Sequence, residues 1–137
     1  MGMVHAEITL RNTGDVIGAR RGYMKEQEIR QATLQAIVDT GAFTLVINED
    51  VRQQLGLGIE GEQTCTMANA TKELCKVAEP VEVRWKNRKM TCEPLVVSGK
   101  GKVLLGAIPL EKMDLIVDPQ RQELTGAHGE EEMGYIL

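Results

Sequence analysis

Aromatic residues are scarce in this chain: one Trp, two Tyr and one Phe among 137 residues. The core that such a length allows must be filled mainly by aliphatic side chains and the seven methionines. Histidine is scarce too. His5 and His128 lie near opposite ends and form no ligand cluster with the cysteines, so no metal site is expected. The three cysteines are odd in number and lack metal-ligand spacing, which suits a reducing compartment better than a disulfide framework. No run approaches the roughly 20 apolar residues of a membrane-spanning helix. No basic segment followed by an apolar one marks a signal peptide. Ala6 stands where myristoylation of Gly2 would need Ser or Thr. The net charge is -4 with both signs interspersed, which leaves no electrostatic footprint for nucleic acid. A soluble, cytoplasmic protein without membrane or nucleic-acid partners is the expectation.

Short β patterns fill most of the length. Residues 4–10 alternate as a half-buried strand should. Residues 12–15 read as a turn and 18–28 as a polar connector or hairpin tip. Residues 31–38 form an apolar strand, and 43–47 a second. Asn48 is a good N-cap with Glu49 and Asp50 behind it, predicting a helix of about two turns that stops at Gly56. Residues 63–77 read as a β-hairpin. Cys65 and Cys75 lie symmetrically about Ala70; two unrelated thiols is the favoured reading, and a redox-sensitive link between thiols facing each other across the hairpin is the alternative. Residues 81–85 alternate cleanly, with 86–89 as a turn and 90–97 returning. Together these predict an all-β, closed β-barrel with one or two short helices. It occupies one domain, 1–125, followed by a polar C-terminal tail, 126–137.

Chemistry enters at Asp39-Thr40-Gly41-Ala42, between two apolar runs. A turn there would hold the acid in place while its carboxylate points outward. A chance Asp-Thr-Gly in a chain this long is roughly a few per cent likely, so context must carry the inference. About 65 residues on, Leu104-Leu105-Gly106-Ala107 ends a further apolar strand, followed by a short helical turn from Ile108 and a last strand, 114–118. In this combination the chain resembles the retropepsin-like aspartic proteases, particularly their small bacterial branch, over about residues 6–124. The resemblance implies an aspartic endopeptidase that needs neither metal nor organic cofactor.

Hydrolysis by carboxyls alone requires two of them sharing one proton, one ionised to activate water and one protonated to polarise the carbonyl. Only one Asp-Thr-Gly is present; Asp15, Asp50, Asp114 and Asp118 lie outside any such context. The second copy must come from a second molecule, which predicts a C2 homodimer. On the resemblance, Asp39 is the catalytic acid, Thr40 bonds across the dimer axis, and Gly41 allows the backbone close to the carboxyl. Leu104, Leu105 and Gly106 support the loop from beneath. Ala42 and the hairpin tip Met67, Ala68, Asn69, Ala70 and Thr71 contact a peptide or protein substrate. That tip lacks the glycines of the viral pattern, so it should be stiffer. The rival reading is a dimerising or peptide-holding module with little or no turnover; a self-processing protease is a third.

Overall fold

The computed structural model describes residues 3–67, 69–98 and 100–129. The first alternating segment becomes β1, His5–Asn12, with Ala6, Ile8 and Leu10 buried and His5 and Glu7 facing out. The chain then enters a helix, α1, Thr13–Arg20, where a turn and connector were expected. Gly14 and Gly18 depress helix propensity and hide it. Its legible signal is the cap: Asn12 Oδ1 accepts the Asp15 N–H at 3.1 Å. Asn12 Nδ2 also donates to the Leu55 carbonyl at 2.8 Å. Asp15 accepts from the Arg30 backbone N–H (3.0 Å), Nε (2.8 Å) and Nη2 (2.9 Å). The Asp15 contacts clamp α1 to Arg30, just before the next strand, and Arg11 Nη2 donates to Glu26 of the 3-10 turn Glu26–Glu28 at 2.8 Å.

That strand, β2, Gln31–Val38, runs antiparallel to β1, with His5 opposite Ile37 and Arg11 opposite Gln31. Beyond the Asp39 loop lie β3, Leu45–Asn48, and α2, Glu49–Gln54. Asn48 caps α2 as expected, accepting the Val51 N–H at 2.8 Å. A hairpin follows, β4, Ile59–Thr66, with β5, Lys72–Ala78. A second joins β6, Val81–Trp85, to β7, Arg88–Cys92, through Lys86 and Asn87 alone. The return strand expected over 90–97 is broken at Glu93-Pro94, because proline cannot donate to a ladder. Its remainder, β8, Leu95–Val97, pairs with β5 and, in parallel, with β3. The chain continues through β9, Leu104–Leu105, α3, Ala107–Lys112, β10, Leu115–Asp118, and β11, Glu123–Gly126.

Among the described residues nine strands form one sheet in the order β4-β5-β8-β3-β9-β2-β1-β6-β7, and β10-β11 form a small second one. The sheet curls into a half-barrel. Its outer strands, β4 and β7, are not paired with each other, so the closed barrel expected from the strand pattern is an open one. The reason is β4, exposed along almost its whole length: the β4–β5 hairpin stands out from the body as an arm. Among the described residues three short α-helices accompany the sheet, where one or two were expected. No helix among the described residues is long and apolar enough to cross a membrane.

Aliphatic side chains fill the concave side, as the shortage of aromatics requires. Ile8, Leu10, Leu45, Ile47, Leu55 and Leu105 are at most 1% exposed, each burial stabilising the fold by about 1.5–3 kcal/mol. Arg88, expected in a turn, is buried at the start of β7. It donates to the carbonyls of Met113 (2.8 Å), Asp114 (2.6 Å) and Gly129. The Ala127 N–H donates to the Asp114 carbonyl at 2.8 Å. The polar end expected from residue 126 is thus anchored as far as Gly129; residues 130–137 lie outside the described residues.

Asp15 makes the fold sensitive to acid. Its hydrogen bonds from the Arg30 side chain hold its carboxyl below the ordinary carboxylate value, against a smaller opposing effect of burial. A depressed native pKa contributes stability that is fully present above the unfolded value of about 3.9 and is lost as pH falls through the native one. Urea unfolding should therefore show stability declining below about pH 4, and Asp15→Asn should flatten that decline while lowering stability at neutral pH.

Candidate active site

The strands flanking the Asp39 loop are not neighbours, because β9 lies between them. Leu104 and Leu105 pair in parallel with Ile37 and Val38, and antiparallel with Val46 and Leu45. A strand of two residues thereby holds both ends of the loop. The Asp39 N–H donates to the Leu105 carbonyl at 3.0 Å. Directly after it, Gly106 passes under the loop. A Cβ there would sit 2.3 Å from the Thr44 carbonyl oxygen, 2.6 Å from that of Ala42 and 2.8 Å from the Thr44 nitrogen. These are backbone atoms, which cannot swing aside.

The first turn of α3 completes the lock. Its leading N–H groups have no partner within the helix. The Ala107 N–H donates to the Ala42 carbonyl at 2.8 Å, and the Ile108 N–H to the Phe43 carbonyl at 3.0 Å. The loop carbonyls thus satisfy the helix start while the helix start fixes the loop.

Asp39 is half-buried in this frame. Its Oδ1 accepts the Gly41 N–H at 2.9 Å, and its carbonyl accepts the Ala42 N–H at 3.1 Å. A Cβ on Gly41 would lie 3.1 Å from that same Oδ1, so the close approach expected of Gly41 is present. No hydrogen bond among the described residues engages Oδ2. Thr40 is exposed, and its hydroxyl makes no hydrogen bond among the described residues.

A cavity of about 520 Å³ opens over Asp39. Gly41 and Ala42 form one side and Met67, from the hairpin arm, the other. Val46, Leu95, Val97 and Leu104 help make its wall largely apolar, and Leu105 is buried. Asn69, Ala70 and Thr71 sit at the hairpin tip without lining the cavity, and Ala68 lies outside the described residues. The tip is tied to itself: Asn69 Oδ1 accepts both the Thr71 N–H (3.1 Å) and hydroxyl (2.6 Å). Ala70 holds a left-handed φ of 68°, at a cost of about 1–2 kcal/mol for a residue with a Cβ.

Sequence reasoning missed Phe43, Val46, Thr66, Leu95 and Val97 as cavity residues. Those of β8 arrive by parallel pairing with β3, a non-local event for which the strand pattern over 90–97 carries no signal. A second concavity, about 680 Å³, lies over β1. Both signs of charge line it, from Glu7, Arg11, Glu26 and Arg84, and none of the Asp39 loop does. No group of three or more metal-capable side chains occurs among the described residues.

Gly106→Ala should displace the loop or the helix start, at a stability cost of about 1–3 kcal/mol by urea unfolding. Asp39→Asn, by contrast, should leave the unfolding midpoint nearly unchanged.

A family model described as aspartyl protease matches residues 26–108, more than half of the chain. Seventy-one chains of solved structures match. One is the crystal structure of the retroviral protease-like domain of Ddi1 from Leishmania major, aligned over 91% of this chain and 88% of that one. The TM-score is 0.55 at 13% sequence identity, so the likeness is one of fold. Among curated proteins none matches.

Proposed function

The chain belongs to the aspartyl protease family, and from that premise we propose that it hydrolyses peptide bonds as a homodimer, with Asp39 of each copy supplying half of a carboxyl dyad. One observation carries the reading. Asp39 stands at the wall of an apolar cavity on a loop locked by Gly106 and β9, with one carboxyl oxygen held and the other unengaged among the described residues.

Two carboxyls within about 3 Å cannot both ionise, so the pair holds a single proton. The ionised one takes a proton from a water as that water attacks the scissile carbonyl. The protonated one donates to the carbonyl oxygen as negative charge develops there. Collapse of the tetrahedral intermediate returns a proton to the departing amine. Both apparent pKa values belong to the pair.

The surface around the loop suits a second copy. Phe43 and Ile108, joined by the Ile108 N–H to Phe43 carbonyl bond, are 48% and 44% exposed beside it. Covering them would bury apolar area and bring the two Thr40 hydroxyls to the axis, where each can bond to the other loop. The largely apolar wall favours substrates with apolar side chains next to the cleaved bond. Met67, flexible and polarisable, would adapt to them from above.

Cleavage of a diverse peptide mixture, read by mass spectrometry between about pH 4 and 7, tests the reading. The wild type should cut with a bell-shaped profile on the acidic side of neutral. Asp39→Asn should lose at least about 100-fold in rate while still sedimenting as a dimer. Equal cleavage by both proteins would sink the assignment of Asp39. A dimeric wild type that binds peptides but cuts none would instead mark a peptide-holding module.

A further inference from the structure

The hairpin arm carries two thiols that peptide hydrolysis does not use. Symmetry about Ala70 would have set Cys65 against Cys75, but the hairpin is centred one residue earlier. Thr66 pairs with Lys72, Cys65 with Glu73, and Gln63 with Cys75. Side chains two apart on a strand share a face, so the cysteines are diagonal neighbours on one side of the arm. That side faces the cavity, which both cysteines line together with Asp39 and Met67.

Cys65 Sγ donates to the Gln63 carbonyl of its own strand at 3.8 Å. Burial first, and then the neighbouring Cys65 thiol, push the Cys75 thiol above its ordinary value. Cys75 is buried, whereas Cys65 is partly exposed, so a small oxidant in the cavity reaches Cys65 first. The third thiol, Cys92, lies on β7 at the other end of the sheet order, pushed up to about 12 mainly by burial. Cys92 is partly exposed, like Cys65, but its place on β7 keeps it away from the arm and from the cavity lining.

We propose that Cys65 and Cys75 form a peroxide-sensitive modification site, closing to a disulfide that tightens the hairpin walling the Asp39 cavity. The Cys65 thiolate attacks one oxygen of hydrogen peroxide. The O–O bond breaks, hydroxide leaves, and Cys65 becomes a sulfenic acid. Cys75 then attacks the Cys65 sulfur: the S–S bond forms, the S–O bond breaks, and the hydroxide released combines with the Cys75 proton as water. Two thiols and one peroxide give one disulfide and two waters, with two electrons passing from sulfur to peroxide.

The register says what the bond does to the arm. Diagonal positions lie about 7–8 Å apart, and a disulfide spans a Cα separation of about 4.4–6.8 Å. Closing it therefore requires β4 and β5 to shift against each other. The cavity wall would then differ between the reduced and oxidised protein. This inference does not depend on peptidase activity, and its readout is mass.

The full chain is exposed to hydrogen peroxide, quenched by alkylation, and weighed intact. Loss of two hydrogens, reversed by dithiothreitol, is expected, with peptide mapping joining Cys65 to Cys75. The loss should persist in Cys92→Ser and vanish in Cys65→Ser. In Cys75→Ser, a sulfenic acid at Cys65 should be trapped by dimedone. Amide exchange over residues 63–66 and 72–76 should slow on oxidation. Thiols that remain alkylatable, sulfinic acid without a bond, a link through Cys92 or between copies, or unchanged exchange would each overturn the proposal.

Discussion

Two residues of strand, Leu104 and Leu105, hold the parts of this molecule that matter most for chemistry. They lie between β2 and β3 and join what would otherwise be separate halves of the sheet. Because parallel pairing on one side and antiparallel on the other share the same residues, the ends of the Asp39 loop cannot move independently. Gly106 then extends that hold under the loop, at distances only a residue without Cβ permits. A loop fixed at its ends, its carbonyls and the Asp39 N–H leaves the carboxyl little freedom. That is what preorganised acid–base chemistry requires.

Charge is handled elsewhere with equal economy. Arg88 gathers backbone carbonyls from the α3–β10 turn and from Gly129, replacing water for groups that the fold buries. Glu82, buried on β6, accepts from Arg11 at 3.4 Å and Arg84 at 2.5 Å. Asp15 is matched by Arg30. Each of these carboxylates has its countercharge in the same chain. For Asp39, the reading above has the compensating group, a second and protonated carboxyl, arrive from another molecule.

The hairpin arm shows how far local pattern reaches. Loose alternation over residues 63–77 indicated the hairpin, although β4 begins earlier, at Ile59. The register was not legible: a shift of one residue in the hairpin centre turns opposed cysteines into diagonal ones. Helix α1 illustrates the opposite loss. Residues 12–15 read as a turn, and Gly14 and Gly18 lower helix propensity. The contacts of Asn12 with Leu55 and of Asp15 with Arg30, both remote in sequence, decided for a helix.

Local pattern along the chain was enough for the vocabulary: strands from period-two alternation, the α2 start from Asn48, and an acid with two small neighbours where a turn must bend. The sequence also indicated that Leu104-Leu105-Gly106 belongs with Asp39, through resemblance rather than through any physical rule acting along the chain. How they meet emerged in three dimensions, with β9 inserted between β2 and β3, Gly106 against the backbone of Ala42 and Thr44, and β8 brought in to wall the cavity. The tertiary structure also left the sheet open at β4 and β7 where closure was expected. The physical reason is the same throughout. Propensity and alternation are properties of neighbours along the chain, whereas strand order, register and close backbone approach depend on which distant surfaces bury one another best.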